Sequence, residues 1–424
     1  MGLRVLGIKE ESTYGKPAVA PDWHQQATKL SAALNAEPVT KTGGSRMIKR
    51  ARAGAIKPTS SFESVVDMKR IGHYMKAFLD NYKFTAGTKT NSHEFWGGES
   101  TSLNSFTLWE TFDVAEKTIV GALLDGLKLE VSDEYMTMAA DWIYKDETME
   151  SIDANTYNQV LIDGDIPVMF YDVSVELDND VPPGIVSSFS FEGKNNLNQD
   201  KTVGLGSRMP QRKAAAQQRE ITLSIVSTLE KETLELIQKA EYGEAGTSPS
   251  ECKIYKMPLK IITNICEDRS DKLVIFFPEC LVSVEYEGSE SDEIEVTFNL
   301  QAVGTGKATL KDGTSVITDM YVELINNQPE IAASAEGTAT NVTVKVVDKS
   351  GKAVENANVT ITSRDDKSIN IAAAATGSDG TVTFPSVIYG RYSTSIEGYT
   401  INKNGLFSVN ESTETITVTA TKNE

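Results

Sequence analysis

The residues with the chemistry to act as nucleophiles, bases or metal ligands are few and badly spaced for it. The three histidines, His24, His73 and His93, fall at no metal-ligand interval, and His73 sits between apolar residues of a helical stretch as a border residue would. The cysteines, Cys252, Cys266 and Cys280, lack a CxxC pair and lie in or near strand-like segments, which suits buried thiols in a reducing compartment. Gly204-Leu205-Gly206 and Gly304-Thr305-Gly306-Lys307 are fragments of glycine-rich loops, without the later residues that seat a phosphate on a helix N-terminus. With 60 acidic residues, no carboxylate pair singles out a glycosidase site. Trp109 and Trp142 sit in strand-like runs and are expected in the core, while Trp96, beside Gly97 and Gly98, is expected at the surface. The expectation is a protein without catalysis, cofactor or metal.

What remains is charge. The formal net charge of −19 on 424 residues argues against a protein that grips nucleic acid through phosphates, which needs surplus lysine and arginine. Against that background, basic residues gather in two loops. The first holds Arg46, Lys49, Arg50, Arg52 and Lys57; the second holds Arg208, Arg212 and Lys213. A nucleic-acid patch and a solvated loop are open readings. The favoured one is a pair of arms that dock on acidic surfaces of neighbouring subunits, where complementary charge sets register.

Each loop contains the same tetrapeptide, Gly44-Ser45-Arg46-Met47 and Gly206-Ser207-Arg208-Met209. A strand-like run and a helix follow both. After the first come Thr59 to Val65 and then Ile71, Tyr74, Met75, Phe78 and Leu79 on one helical face. After the second come the alternating Glu220 to Ile225 and a helix with Leu229, Leu236, Ile237 and Ala240 on its face. Ser227 and Glu230 are spaced as its capping box. Four strand-like segments close each unit: 105–112, 118–124, 127–131 and 136–144, then 259–266, 272–277, 281–287 and 294–302. The tetrapeptides are 162 residues apart, and the Ala-Gly-Thr after each helix repeats at a spacing of 159. This order predicts a duplication. Residues 1–25, with Gly15, Pro17 and Pro21, read as irregular.

Past Asn326-Asn327-Gln328-Pro329 the chain turns threonine- and valine-rich, with short strands at regular spacing between glycine turns, the pattern of a β-sandwich. Cutting after Gln328 is therefore expected to leave the preceding part able to assemble. The N-terminus has no continuous apolar signal-peptide core, and no run approaches a membrane span.

The opening Glu10-Glu11-Ser12-Thr13-Tyr14-Gly15-Lys16-Pro17 resembles the start of tail tube proteins from long-tailed bacteriophages. The order of basic loop, strand, helix with Ala77-Phe78-Leu79, Ala-Gly-Thr and a closing Phe298-Asn299-Leu300-Gln301-Ala302 is similar too. Residues 340–400 resemble carboxypeptidase-regulatory or bacterial immunoglobulin-like modules, through Val346 to Gly351, Ala357 to Thr360, Thr376 to Gly380 and Tyr389 to Tyr392. The resemblance implies a mainly β fold: two tandem tail-tube-like units with flanking helices (1–165 and 166–327), then an immunoglobulin-like β-sandwich that decorates the tube (328–424). It implies a structural virion protein, made in the host cytoplasm, whose rings stack into the hollow tail tube that passes DNA. Three two-unit chains would give a pseudo-sixfold ring, as in T5-like siphophages, with six-chain rings as the alternative. Expected partners are further copies, the tape measure protein and the tail terminator and tip proteins. DNA would pass without specific binding, and the C-terminal domain would make at most weak contact with host-surface glycan. A surface adhesin and a tail-associated polysaccharide-acting enzyme are the competing readings.

Overall fold

The computed structural model describes residues 4–36, 38–41, 46–48, 50–152, 167–178, 184–243, 255–265, 271–288, 294–334, 338–364, 370–410 and 415–423. Cys252, Cys266, Gly44, Ser45, Lys49 and the second Ala-Gly-Thr lie outside them.

The first part of the chain runs β1 (Val5–Glu10), β2 (Trp23–Gln26), β3 (Lys29–Ala33), β4 (Pro38–Lys41), β5 (Arg50–Ala53), β6 (Thr59–Val65), α1 (Ile71–Phe78), β7 (Asn81–Thr85), β8 (Asn91–Trp96), β9 (Phe106–Phe112), β10 (Ala115–Val131), β11 (Thr137–Ile143) and β12 (Asp146–Ser151). It continues with β13 (Val173–Leu177), β14 (Val186–Lys194), β15 (Glu220–Thr228), α2 (Lys231–Tyr242), β16 (Lys256–Asn264), β17 (Lys272–Glu287), β18 (Glu295–Ala302), β19 (Lys307–Thr309), β20 (Ser315–Ile317) and β21 (Tyr321–Asn326). All of these strands except the hairpins β4–β5 and β19–β20 hydrogen-bond into one closed, barrel-like network.

Within that network the pairing scheme occurs twice. Strand β1 pairs β9, β3 pairs β6, β6 pairs β11, β11 pairs β10, and β10 also pairs β9 and β12. The same six pairings recur as β13–β16, β14–β15, β15–β18, β18–β17, β17–β16 and β17–β21. The two sets join where β10 pairs β14, with Val131 opposite Phe189 and Leu127 opposite Gly193. The result is an eight-strand array in the order β3-β6-β11-β10-β14-β15-β18-β17. One face is apolar, from residues such as Phe62, Leu129, Phe191, Ile225 and Phe298, and packs on the helices. Aromatic packing fixes α1 on that face, with Tyr74 stacked 5.9 Å from Phe62 and Phe78 edge-on to Phe191 at 6.1 Å.

Several expectations are corrected here. Residues 5–10 form a strand buried along its whole length, not irregular chain. Its charges are matched: Lys9 bonds Asp22 at 2.7 Å, and Lys76 lies 2.7 Å from Glu10. The paired segments 118–124 and 127–131, and 272–277 and 281–287, are each one long strand carried through a bulge. Ser227 does not cap α2; its hydroxyl donates to Ile185 O at 3.0 Å, and Glu230 occupies the cap position without a side-chain capping bond, its carboxylate accepting from the Thr228 hydroxyl at 3.2 Å. His73 is buried, accepting from Trp23 Nε1 at 3.1 Å and contacting Asp22 at 2.8 Å. Trp96 is half-buried against the small core of Ala308, Leu310 and Tyr321.

A second core belongs to residues past 338. Strands β22 (Ala339–Val347), β23 (Asn358–Ser363), β24 (Asn370–Ala375), β25 (Thr381–Ile388), β26 (Gly390–Ile396), β27 (Tyr399–Lys403), β28 (Leu406–Val409) and β29 (Ile416–Lys422) make two four-strand sheets, β25-β22-β29-β27 and β24-β23-β26-β28. Val344, Ile361, Phe384, Phe407 and Val418 fill the space between them. Ile331, however, belongs to the larger core and is 4% exposed, held by Lys76 donating to its carbonyl and by its own N–H donating to the Tyr82 hydroxyl at 3.1 Å. A chain ending at Gln328 loses this plug. Its melting point is expected to fall relative to a chain ending at Ser334, by an amount matching the ~2–5 kcal/mol typical of a large core truncation; calorimetry of the two decides it.

Candidate assembly surfaces

The two basic loops leave the array from the same end, between Ala33 and Thr59 and between Lys194 and Glu220, yet they differ in form. The first becomes the hairpin β4–β5, with Val39 opposite Arg52 and Thr40 opposite Ala51. Arg46, Arg50 and Arg52 are exposed on it, and so are Val39 at 67%, Met47 at 71% and Ile48 at 62%.

The second loop folds back onto the root of the first. Arg208 donates from Nε to Gly54 O at 2.8 Å, and its own carbonyl accepts from Ile56 N at 2.8 Å. Gln199 Nε2 donates to Pro58 O at 2.9 Å, and Lys57 pairs with Asp200. Arg212 Nε donates to Lys201 O at 2.8 Å. Lys213 is half-buried, and burial lowers its pKa. Gly206 takes the left-handed φ of +92° that the reversal needs, and Ser207 Oγ accepts from Met209 N at 3.0 Å. The two basic loops thus differ in role, one a projecting arm with Arg46 and Met47 exposed on it, the other a buttress that carries Arg208.

The opposite face of the eight-strand array is a polar groove. Residues alternating with the core side chains line it, among them Ser31, Ser61, Ser190, Thr222, Ser224 and Asn299. Among the described residues its charged members are Glu63, Asp125, Glu130, Asp141, Glu192, Glu220, Glu285 and Glu295 against Lys29, Lys128 and Lys194, eight acids to three bases. Each lysine sits on a neighbouring glutamate, at 2.5 Å for Lys29–Glu63, 2.7 Å for Lys128–Glu130 and 2.6 Å for Lys194–Glu192. That bond to Lys194 holds the Glu192 carboxyl below its usual range. The surplus is acidic.

Among the described residues the two end strands of the array, β3 and the Val282–Glu287 part of β17, each keep one unpaired edge. Exposed apolar side chains gather at this end of the array: Tyr286 on β17 is 59% exposed, Leu234 on α2 47%, and Leu229 and Ile294, beside the ends of β15 and β18, 41% and 45%. Their counterparts in the first set are closed. Phe62 and Ile225 hold matching places in the two arrays, and the same step of 163 carries Ile71, 1% exposed, onto Leu234.

A model of the phage tail tube protein family matches residues 3–261. The chain belongs to that family. Members of that family are structural proteins of phage tails that self-associate into a tube. A prealbumin-like fold domain model matches residues 340–424, the two-sheet C-terminal domain. No curated protein matches. Solved structures that match in part include a streptococcal ancillary pilin, at 17% identity over 35% of this chain and 51% of that one, with a TM-score of 0.16. Another is the pilus 2b backbone protein of group B streptococcus, at 12% identity over 48% and 93%, also with a TM-score of 0.16. This chain spans about half the length of the ancillary pilin, and scores this low carry no argument.

The C-terminal domain of this tail protein meets β10 at the Glu116 carboxylate. Glu116, 5% exposed, receives Arg391 Nη1 at 2.7 Å and Arg364 Nη2 at 3.1 Å, with the Arg391 guanidinium 6.0 Å above Trp109. Asn410 Nδ2 adds a bond to Pro21 O at 3.0 Å. At this seam burial pushes the His24 pKa down to about 4. Sequence gave no cue to Glu116, since its partners lie 248 and 275 residues away. Replacing Glu116 with alanine leaves two guanidinium groups facing each other in a poorly solvated seam, at a cost of about 3 kcal/mol of docking. Faster hydrogen exchange at residues 21–26 and 389–393, without loss of either core, is the expected readout.

Proposed function

We propose that three copies of this chain close into a ring by continuing the eight-strand array from subunit to subunit, and that stacked rings form the tail tube. The supporting observation is the repeated pairing scheme with its two unpaired ends. The β10–β14 joint inside one chain is the template for a β17–β3 joint between chains. Carrying its register across by matched positions sets Tyr286 opposite Ala32 and Val284 opposite Leu34 of the next copy. The same contact buries Leu234 as its counterpart Ile71 is buried. Closure removes the exposed edges that would otherwise pair at random. It gives a 24-strand inner wall, about three times eight, lined by the polar face.

In this reading residues 1–165 and 166–327 act as two tail-tube-like units and 328–424 as the decorating domain. Arg46, Lys49, Arg50 and Arg52 serve ring-to-ring contact, while Arg208, Arg212 and Lys213 brace the arm. The tube passes DNA without specific binding in a T5-like siphophage and ends on the tape measure, terminator and tip proteins. The C-terminal domain faces outward, where weak contact with host-surface glycan is open to it. Averaged electron micrographs of assembled rings test the proposal: threefold symmetry with six similar lobes supports it, and a ring of six whole chains overturns it.

A further inference from the structure

The end of the array away from the arm carries a groove of its own. It lies where β10 meets β14 and β13, lined by Val131, Phe170, Val173, Val175, Val186 and Phe189, with three serines and a glycine between them. Around it Phe170 is 45% exposed, Tyr171 60%, Tyr135 44% and Ile185 67%, a dense group of large apolar side chains for one surface. Asp133 and Glu134 stand exposed at its rim, in the turn between β10 and β11. Strand direction places it opposite the arm. The arm leaves beside Thr59, which is level with Ile143, whereas Val65 and Thr137 mark the far end, where Val131 pairs Phe189.

We propose that this groove receives the arm tip, residues 46–48, of a copy in the adjacent ring. Met47 and Ile48 supply apolar surface to the valines and phenylalanines of the groove, and Arg46 meets the acidic rim formed by Asp133 and Glu134. The two patches differ and sit at opposite ends of one chain, so their contact is heterologous and repeats along an axis without closing. Complementary charge selects head-to-tail stacking over head-to-head, which would bring arginine to arginine. This inference rests on the ring reading above and names the acceptor that reading lacks.

The test uses the full chain with Met47→Cys and Tyr171→Cys, both at exposed positions, oxidised after assembly. A ladder of cross-linked chains on non-reducing gels, absent from wild type and from either single variant, is expected. Arg46→Glu is expected to cut tubes per ring by about tenfold or more, and adding Glu134→Arg to restore them. Tubes that form from Arg46→Glu as from wild type, with no cross-linked ladder from the double cysteine variant, overturn the groove while leaving the ring intact. Wild-type protein that makes neither rings nor tubes overturns the ring reading instead.

Discussion

Tyr286→Asp is expected to abolish rings while leaving the chain folded. In the isolated chain Tyr286 is 59% exposed, and its hydroxyl bonds only weakly to Glu241, at 3.4 Å, so a carboxylate there remains solvated. In the closed ring the position becomes the counterpart of Leu129, which is 0% exposed beside the β14 strand. A charge forced into that place without a partner costs several kcal/mol, about 3 or more, at every joint of the ring. At about 1.4 kcal/mol per decade, each joint weakens by more than a hundredfold. Sedimentation velocity should show the variant as monomer at concentrations where wild type is in rings, with unfolding curves that overlay. Rings of wild-type abundance would mean that the β17 edge is not the joint.

The elements behind this prediction were unevenly legible in the sequence. Alternation in Glu220 to Ile225 and the 3.6-residue period from Ile71 to Leu79 reported a one-sided core, and strands and helix stand there. Alternation fails where both faces are covered. The stretch Val5 to Glu10 is buried on both sides and holds Lys9 and Glu10 by ion pairs, so its pattern resembled loop. Asp125-Gly126 and Pro278-Glu279 read as strand ends, although the ladder resumes beyond each bulge. The basic loops illustrate a different limit. Their composition marked both as surface, but whether a loop projects or folds back depends on carbonyls such as Gly54 O, 154 residues from the arginine that binds it. The polar groove was legible only as a net charge. Its acidic surplus comes from residues scattered over seven strands, and register alone brings them to one face.

That face carries the second large prediction. Replacing Glu220, Glu285 and Glu295 with lysine changes its described charged members from eight acids and three bases to five and six, from −5 to +1 per chain. All three are exposed and have no part in the three lysine–glutamate bonds, so folding and assembly are expected to survive. The wild-type lining offers phosphate no net attraction, and DNA is expected to slide without retention. The lysine lining releases condensed counterions on contact. Binding should then fall with salt, with a log–log slope of about −0.9 per phosphate contacted on duplex and about −0.7 on single strands. With about six contacts along a short tube, affinity would drop roughly a thousandfold between 50 and 200 mM salt. Fluorescence anisotropy of a short duplex with assembled tubes, wild type against variant across that range, measures it. If the variant tubes hold DNA no better than wild type at low salt, the polar groove does not face the bore.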